Sequence, residues 1–194
     1  NKLKTFTADQ LVAEITAGYF RSDSSNPKGE LSQYDTWSSE QRTDATSEAM
    51  IAFIRGQTEN QGQPADTSKL FRDRTNPLGD IVNSGVAYSG APSLRINDPE
   101  YVSGFAETYA SRVKTLFVGA NDGMLHALNA TTGEEDWAYV PRIVMPNLFR
   151  LADNNYPNNH RYYVDGSPES ADVYINGEWR TILVGGLNKG GRGY

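Results

Sequence analysis

A chain of 194 residues, 38% hydrophobic and 22% charged, can build one soluble core, or a small domain beside part of another. Its formal net charge of −6 offers no Lys/Arg surface to displace nucleic-acid counterions or bind an anionic membrane, which leaves proteins, glycans and small molecules as partners. The lack of cysteine excludes disulfides and thiolate metal sites, and no stretch reaches the roughly 18 apolar residues of a transmembrane helix.

Asn1 to Thr7 lack the apolar run of a secretory signal. Thr7 and Gln10 fit a capping box, Leu11, Val12 and Ile15 share one helical face, and Gly18 is a natural stop. The polar run from Arg21 to Thr43 has little periodicity and predicts a loop, with Tyr34 and Trp37 packing onto another element. Ala49, Met50, Phe53 and Ile54 recur at amphipathic spacing and predict a helix capped by Asp44 or Thr46 and closed by Gly56. The polar stretch Gln57–Ser68 follows as linker or exposed loop. Residues 1–78 thus read as a helical and loop lead-in, and 79–194 as the start of a β domain.

Strands are expected at Ile81–Val82, Val86–Tyr88, Thr115–Val118, Met124–Leu128, Trp137–Val140, Arg161–Val164, Ala171–Ile175 and Trp179–Val184. Asn121-Asp122-Gly123 and Asn176-Gly177 stand between such strands, where a tight hairpin requires positive φ. Pro141–Asn159 interrupts the pattern, with Met145, Leu148, Phe149 and Leu151 at partly helical spacing before an Asn-rich loop. A weak repeat relates Asp80–Tyr88 to Tyr163–Tyr174, each followed by a hairpin leading to a Val-Gly pair, at Val118-Gly119 and Val184-Gly185. Repeating sheet units of this kind suit propeller blades.

The most informative text runs from Leu116 to Trp137. An apolar strand, Gly119, the Asp122-Gly123 turn, a second strand, the Thr132-Gly133 turn and Trp137 resemble the repeat of quinoprotein-like propellers. Asp122-Gly123 closes a hairpin, and Gly133 supplies a backbone conformation costly for other residues. Trp137 offers apolar area for packing between blades. Asn129 stands where the repeat usually has Asp.

Further motifs narrow the resemblance. Phe71–Arg74, Leu78–Ser84, Tyr88 with Gly90-Ala91-Pro92, Arg161–Pro168 and Leu183–Gly193 all resemble the propeller of the PilC/PilY family. The likeness spans about residues 44–194. It departs at Val86, where the family has proline, and at Ser89, where it has valine. The resemblance implies a mainly β fold: about two blades of antiparallel strands, a partial β-propeller incomplete after Tyr194, preceded by a short helical and loop segment. The chain is then expected to be a fragment of a longer protein.

The family resemblance also implies a role: an exported, non-catalytic factor in type IV pilus biogenesis and adhesion, at the pilus tip, cell surface or outer membrane. Implied partners are minor pilins or other tip components and a host or surface receptor. Many family members carry a calcium loop, here expected beyond Tyr194; no cofactor is expected in this chain. The Asp-rich pattern of calcium loops has no match, and Asp153-Asn154-Asn155 comes closest before Tyr156-Pro157 breaks the alternation. Those three residues are instead expected to form an exposed interaction loop, since rigid scaffolds commonly present function on loops.

Two other readings share the repeat: a quinone-dependent dehydrogenase, and an outer-membrane assembly scaffold. The first needs carboxylates converging on a central cofactor and calcium, and no such constellation is legible. His126 and His160 lack metal-ligand spacing; His126 reads as a packed structural histidine, and His160 as packing near Tyr162. Glu134 and Glu135 follow a turn and read as exposed. Asn129-Ala130-Thr131 fits a glycosylation acceptor, a pattern common by chance. Gly190–Gly193 follows a strand without a helix behind it and reads as a structural turn, not a phosphate loop.

Overall fold

The computed structural model describes residues 27–62, 66 and 68–194. The helix expected around Leu11–Ile15 lies outside them. The chain forms two compact units. One comprises the described residues up to Gly79 together with Arg142–Arg161, and the other comprises Asp80–Pro141 and Tyr162–Tyr194.

In the first unit two short helices follow one another, α1 (Ser39–Asp44) and α2 (Ser47–Ile54). The first corrects the expectation of loop through Thr43. Ser38 Oγ accepts from Gln41 N–H at 3.1 Å, and Gln41 Oε1 accepts from Ser38 N–H at 2.9 Å. This reciprocal box satisfies two orphan donors and nucleates a helix too polar to show periodicity. Thr46, not Asp44, caps α2, accepting from Ala49 N–H at 3.2 Å.

Gly56 has φ +95°, as its place after α2 requires. Arg74 covers that helix end, donating to the Phe53 carbonyl at 2.7 Å with its guanidinium over the Phe53 ring. Met50, Ile51, Phe53 and Ile54 are buried, and α2 packs against the eight-residue 3-10 helix Met145–Ala152, the helical segment expected in the interrupting excursion. Trp37 is buried against Tyr34 and Phe71. A parallel pair of two-residue strands, β1 (Gln61–Gly62) and β2 (Phe71–Arg72), completes the unit.

The second unit is built on antiparallel sheet. Strands β3 (Ala87–Ser89), β4 (Thr115–Gly119), β5 (Leu125–Asn129) and β6 (Glu135–Tyr139) pair in sequence order, and β7 (Glu169–Ile175) pairs with β8 (Glu178–Val184) in a separate hairpin. The sheets do not close on one another, and the described chain is mainly β. Asn176 and Gly177 both take positive φ, +54° and +82°, the pair that lets a two-residue turn match strand twist.

Two expected strands are absent. Ile81–Val82 and Arg161–Val164 are irregular, because neighbouring Asp80, Asn83 and Asp165 side chains enter the hydrogen bonding and compete with a ladder. Between β3 and β4 the chain makes a π-helical turn, Glu100–Ala106, that lies on the β7–β8 hairpin. Tyr101 is buried there, its ring edge-on to Trp179 at 4.7 Å and its hydroxyl donating to Asp172 at 2.8 Å. Burial foremost, with the Asp172 carboxylate added, pushes that phenol above its ordinary pKa. No helix among the described residues is long and apolar enough to cross a membrane.

Candidate functional site

The residues singled out in sequence fall into three groups: a polar clasp, a histidine pin and a loop beside a cleft.

The clasp joins the two stretches that departed from strand form. Asp165, 1% exposed, accepts from Asn83 N–H at 3.2 Å, from the Asn83 amide at 2.8 Å and from the Asn188 amide at 3.1 Å. Asn121, equally buried, donates its amide to Asp80 at 2.9 Å and accepts from Tyr163 N–H at 3.0 Å. Ser84 Oγ accepts from Gly119 N–H at 2.9 Å, and Ser167 Oγ from Gly85 N–H at 2.8 Å. Stretches about eighty residues apart are thus fastened by side chains whose polar atoms are matched, the condition for burying them. A Cβ on Gly119 would collide with the Val164 carbonyl, so glycine is required by close approach rather than by a turn.

Sequence reading placed Asn121 in a turn and Asp165 in a family motif but saw neither as a buried anchor. The available signal was an acid directly after the apolar pair Tyr163-Val164, followed by Gly-Ser-Pro.

The turns of the expected blade motif form as their residues require. Gly123 has φ +95° and Gly133 φ +77°. Asp122 accepts from Met124 N–H at 3.1 Å. Asn129 Oδ1 accepts from the N–H groups of Thr131 and Thr132, at 2.9 and 3.2 Å, so asparagine serves where aspartate is usual. Thr132 Oγ1 accepts from Glu134 N–H at 3.2 Å. Trp137 stands opposite Ala127 on β6, packs its ring on Phe117 of the same sheet and remains 44% exposed.

His126 sits on β5, 4% exposed, between two carboxylates. Its Nε2 lies 3.1 and 3.2 Å from the Asp122 oxygens, and its Nδ1 lies 2.6 Å from Glu135. Burial works against the charged ring. Asp122 and then Glu135 outweigh it and hold the imidazole pKa above its ordinary value. Each ring nitrogen thus faces an acid, Nε2 that of Asp122 and Nδ1 that of Glu135. Glu135 is exposed, as expected, and reaches the ring as well. A bulge in the β5–β6 pairing between Ala127 and Leu128 turns its carboxylate to the histidine face. His160 packs on the ring of Tyr156.

The expected interaction loop lies in the first unit and is less open than its composition suggested. Asp153 and Asn154 are half-buried and only Asn155 is exposed. Asp153 accepts from Ser32 Oγ and N–H and from Asn155 N–H, and Arg150 beside it pairs with Glu30 at 2.9 Å. Buried Gln33 ties the loop down, donating to the Leu70 and Ala152 carbonyls and accepting from Asn154 N–H at 3.1 Å. Asn154 Oδ1, buried and without a hydrogen-bond partner among the described residues, borders a cleft of about 100 Å³ walled by Trp37, Gln41, Asp66 and Phe71.

The calcium implied by family resemblance does not fit this loop, because both Asp153 oxygens already accept from Ser32 or Asn155. No group of three or more acidic or histidine side chains among the described residues could hold a metal ion.

Comparison with known proteins agrees with the motif reading. Residues 78–194 match the family model described as the PilY1 beta-propeller domain. A type IV pilus biogenesis factor PilY1 homolog of Xylella fastidiosa (strain Temecula1) is 42% identical over 156 residues, 77% of this chain and 12% of that protein. Type IV pilus biogenesis factor PilY1 of Pseudomonas aeruginosa (strain PAK) is 38% identical over 157 residues, 77% of this chain and 13% of that protein. The crystal structure of the P. aeruginosa PilY1 C-terminal domain shares 32% identity at a TM-score of 0.41, covering 54% of this chain and 20% of that one. The chain therefore spans about an eighth of the length of these curated relatives.

Proposed function

Since the chain belongs to the PilY1 β-propeller family, we propose that it serves type IV pilus biogenesis as a non-catalytic, protein-binding part of a longer exported factor. The observation that carries this reading is the family match across 78–194 together with relatives named as pilus biogenesis factors. On this reading the strand-bearing unit is a blade-bearing segment, with Gly119, Asp122, Gly123, Thr132, Gly133 and Trp137 as its framework and Trp137 packing between blades. The clasp through Asp165 then acts as a rigid mount.

The finer reading places the protein at the pilus tip or cell surface, in contact with minor pilins or other tip components and with a host or surface receptor during adhesion. Asp153, Asn154 and Asn155, beside the Trp37 cleft, are the loop we assign to such contacts. Support comes from the exposure of Asn155 and the unmatched acceptor of Asn154.

The test is deletion of the gene in its host, with surface pili counted by electron microscopy and attachment measured separately. Loss of pili supports the biogenesis role, and loss of attachment with pili retained supports adhesion alone. Unchanged piliation and attachment sinks both.

A further inference from the structure

We propose that His126 is a pH-operated pin holding the outer strand β6 to the sheet, and that β6 loosens when the ring loses its second proton. Two ring nitrogens face two acids, at 2.6 Å to Glu135 and 3.1 Å to Asp122, and only the doubly protonated ring can donate to both. The partners differ in what they can do without it. Asp122 is buried, so leaving it without the ring's hydrogen bond is costly, whereas the Glu135 side chain is about half exposed and water can take the ring's place.

When the ring becomes neutral, its remaining proton therefore stays on Nε2 towards Asp122. The Nδ1 lone pair then confronts the Glu135 carboxylate, and Glu135 turns to solvent. No charged residue from β4 faces the ring, because that strand is Thr115–Gly119 without an ionisable group; Asp122 from the turn and Glu135 from β6 are the charges that act on it.

The mechanical consequence falls on β6 because Glu135 is its first residue and sits at the bulge, where the ladder is already interrupted. All five β6 residues are exposed, and among the described residues the strand is the edge of its sheet. An exposed edge strand opens at low free-energy cost, so one charge-assisted bond is a meaningful part of what holds it. The proposal is independent of the pilus reading: it concerns this sheet whatever the protein assembles with.

The test is hydrogen exchange on the full-length protein at pH 6 and at pH 9, corrected for intrinsic exchange. Amides of Asp136–Tyr139 are compared with those of the β7–β8 hairpin, and the His126 titration is followed by NMR. The expected result is a two- to fivefold loss of protection in β6 relative to the hairpin, a size of about that order for a half-exposed ion pair. In Glu135→Gln the pH effect should vanish, because the glutamine amide can donate to neutral Nδ1. Relative β6 protection that holds steady from pH 6 to 9 in the unmodified protein overturns the proposal. So does a His126 that fails to titrate in that range, or a Glu135→Gln variant that keeps the full pH effect.

Discussion

Asp165 takes both the backbone N–H and the side-chain amide of Asn83 into its carboxylate, across 82 residues of sequence. Because Asp165 is buried, Asp165→Ala leaves donors in the clasp without an acceptor. The expected cost is about 1.5–3 kcal/mol, from the lost charge-assisted bonds, since Asn83 and Asn188 are exposed and water can reach the donors left behind. Asp165→Asn should cost under about 1 kcal/mol, since flipped Asn83 and Asn188 amides could accept from it while Asn83 N–H keeps an oxygen partner. Urea midpoints of the two variants decide this: equal losses would mean that the negative charge, not the bonding pattern, is what matters.

Gly119 and Gly133 should respond differently to alanine. At Gly119 the new methyl meets the Val164 carbonyl, and overpacking against backbone costs about 1–3 kcal/mol or more. At Gly133 the space is open and only the positive φ is strained, for about 1–2 kcal/mol. Thermal denaturation should rank Gly119→Ala as the more damaging, and the opposite rank would refute the close-approach argument.

Ser38→Ala removes one half of the box that starts α1, and N-cap losses of this kind run at about 1 kcal/mol. Circular dichroism during thermal unfolding should show the decrease. An unchanged midpoint would mean that packing alone holds α1.

The raised pKa of His126 gives a signed dependence of stability on pH. A histidine whose folded pKa exceeds its unfolded value contributes fully below the unfolded value, about 6.5, and the contribution fades as pH rises through the folded one. The stability gap between the unmodified protein and His126→Gln should therefore be widest near pH 6 and shrink above the folded pKa. A gap that widens with pH would reverse the sign and disprove the charged-ring assignment.

Asn155→Ala tests the loop without undoing its fold. Its side chain is exposed and accepts from Asn158, so stability should change by no more than about 0.5 kcal/mol. Asp153→Ala, by contrast, removes the acceptor for Ser32 and should destabilise the first unit. If the loop meets a partner, Asn155→Ala should lower attachment or pilus number in complemented cells while protein levels hold.

Local chemistry was the legible part of the sequence. Turns announce themselves through residues that tolerate positive φ, so Gly123, Gly133 and Asn176-Gly177 could be placed without tertiary information. Helix α2 was legible through its apolar spacing, whereas α1 was missed because Ser38 and Gln41 make their box without any apolar periodicity. Asp165, Asn83 and Asn121 were unreadable as a unit for a different reason. Their partners are distant in sequence, and a buried polar residue looks like a loop residue until the fold supplies its hydrogen-bond partners. Glu135 is exposed as its place after a turn suggested, but its pairing with His126 was hidden because one bulge reverses which face a strand residue occupies.

The helix Met145–Ala152 supplies the surface on which α2 buries its apolar face, yet β3 to β6 are synthesised between them. A ribosome must therefore release most of a sheet before the first unit can be finished. Until then Met50, Phe53 and Ile54 lack part of their cover, a window in which the chain depends on a chaperone or on speed. Cutting this protein at residue 79 would leave each piece with half of an unfinished contract: the helices without their lid, and the strands carrying a lid with nothing to close.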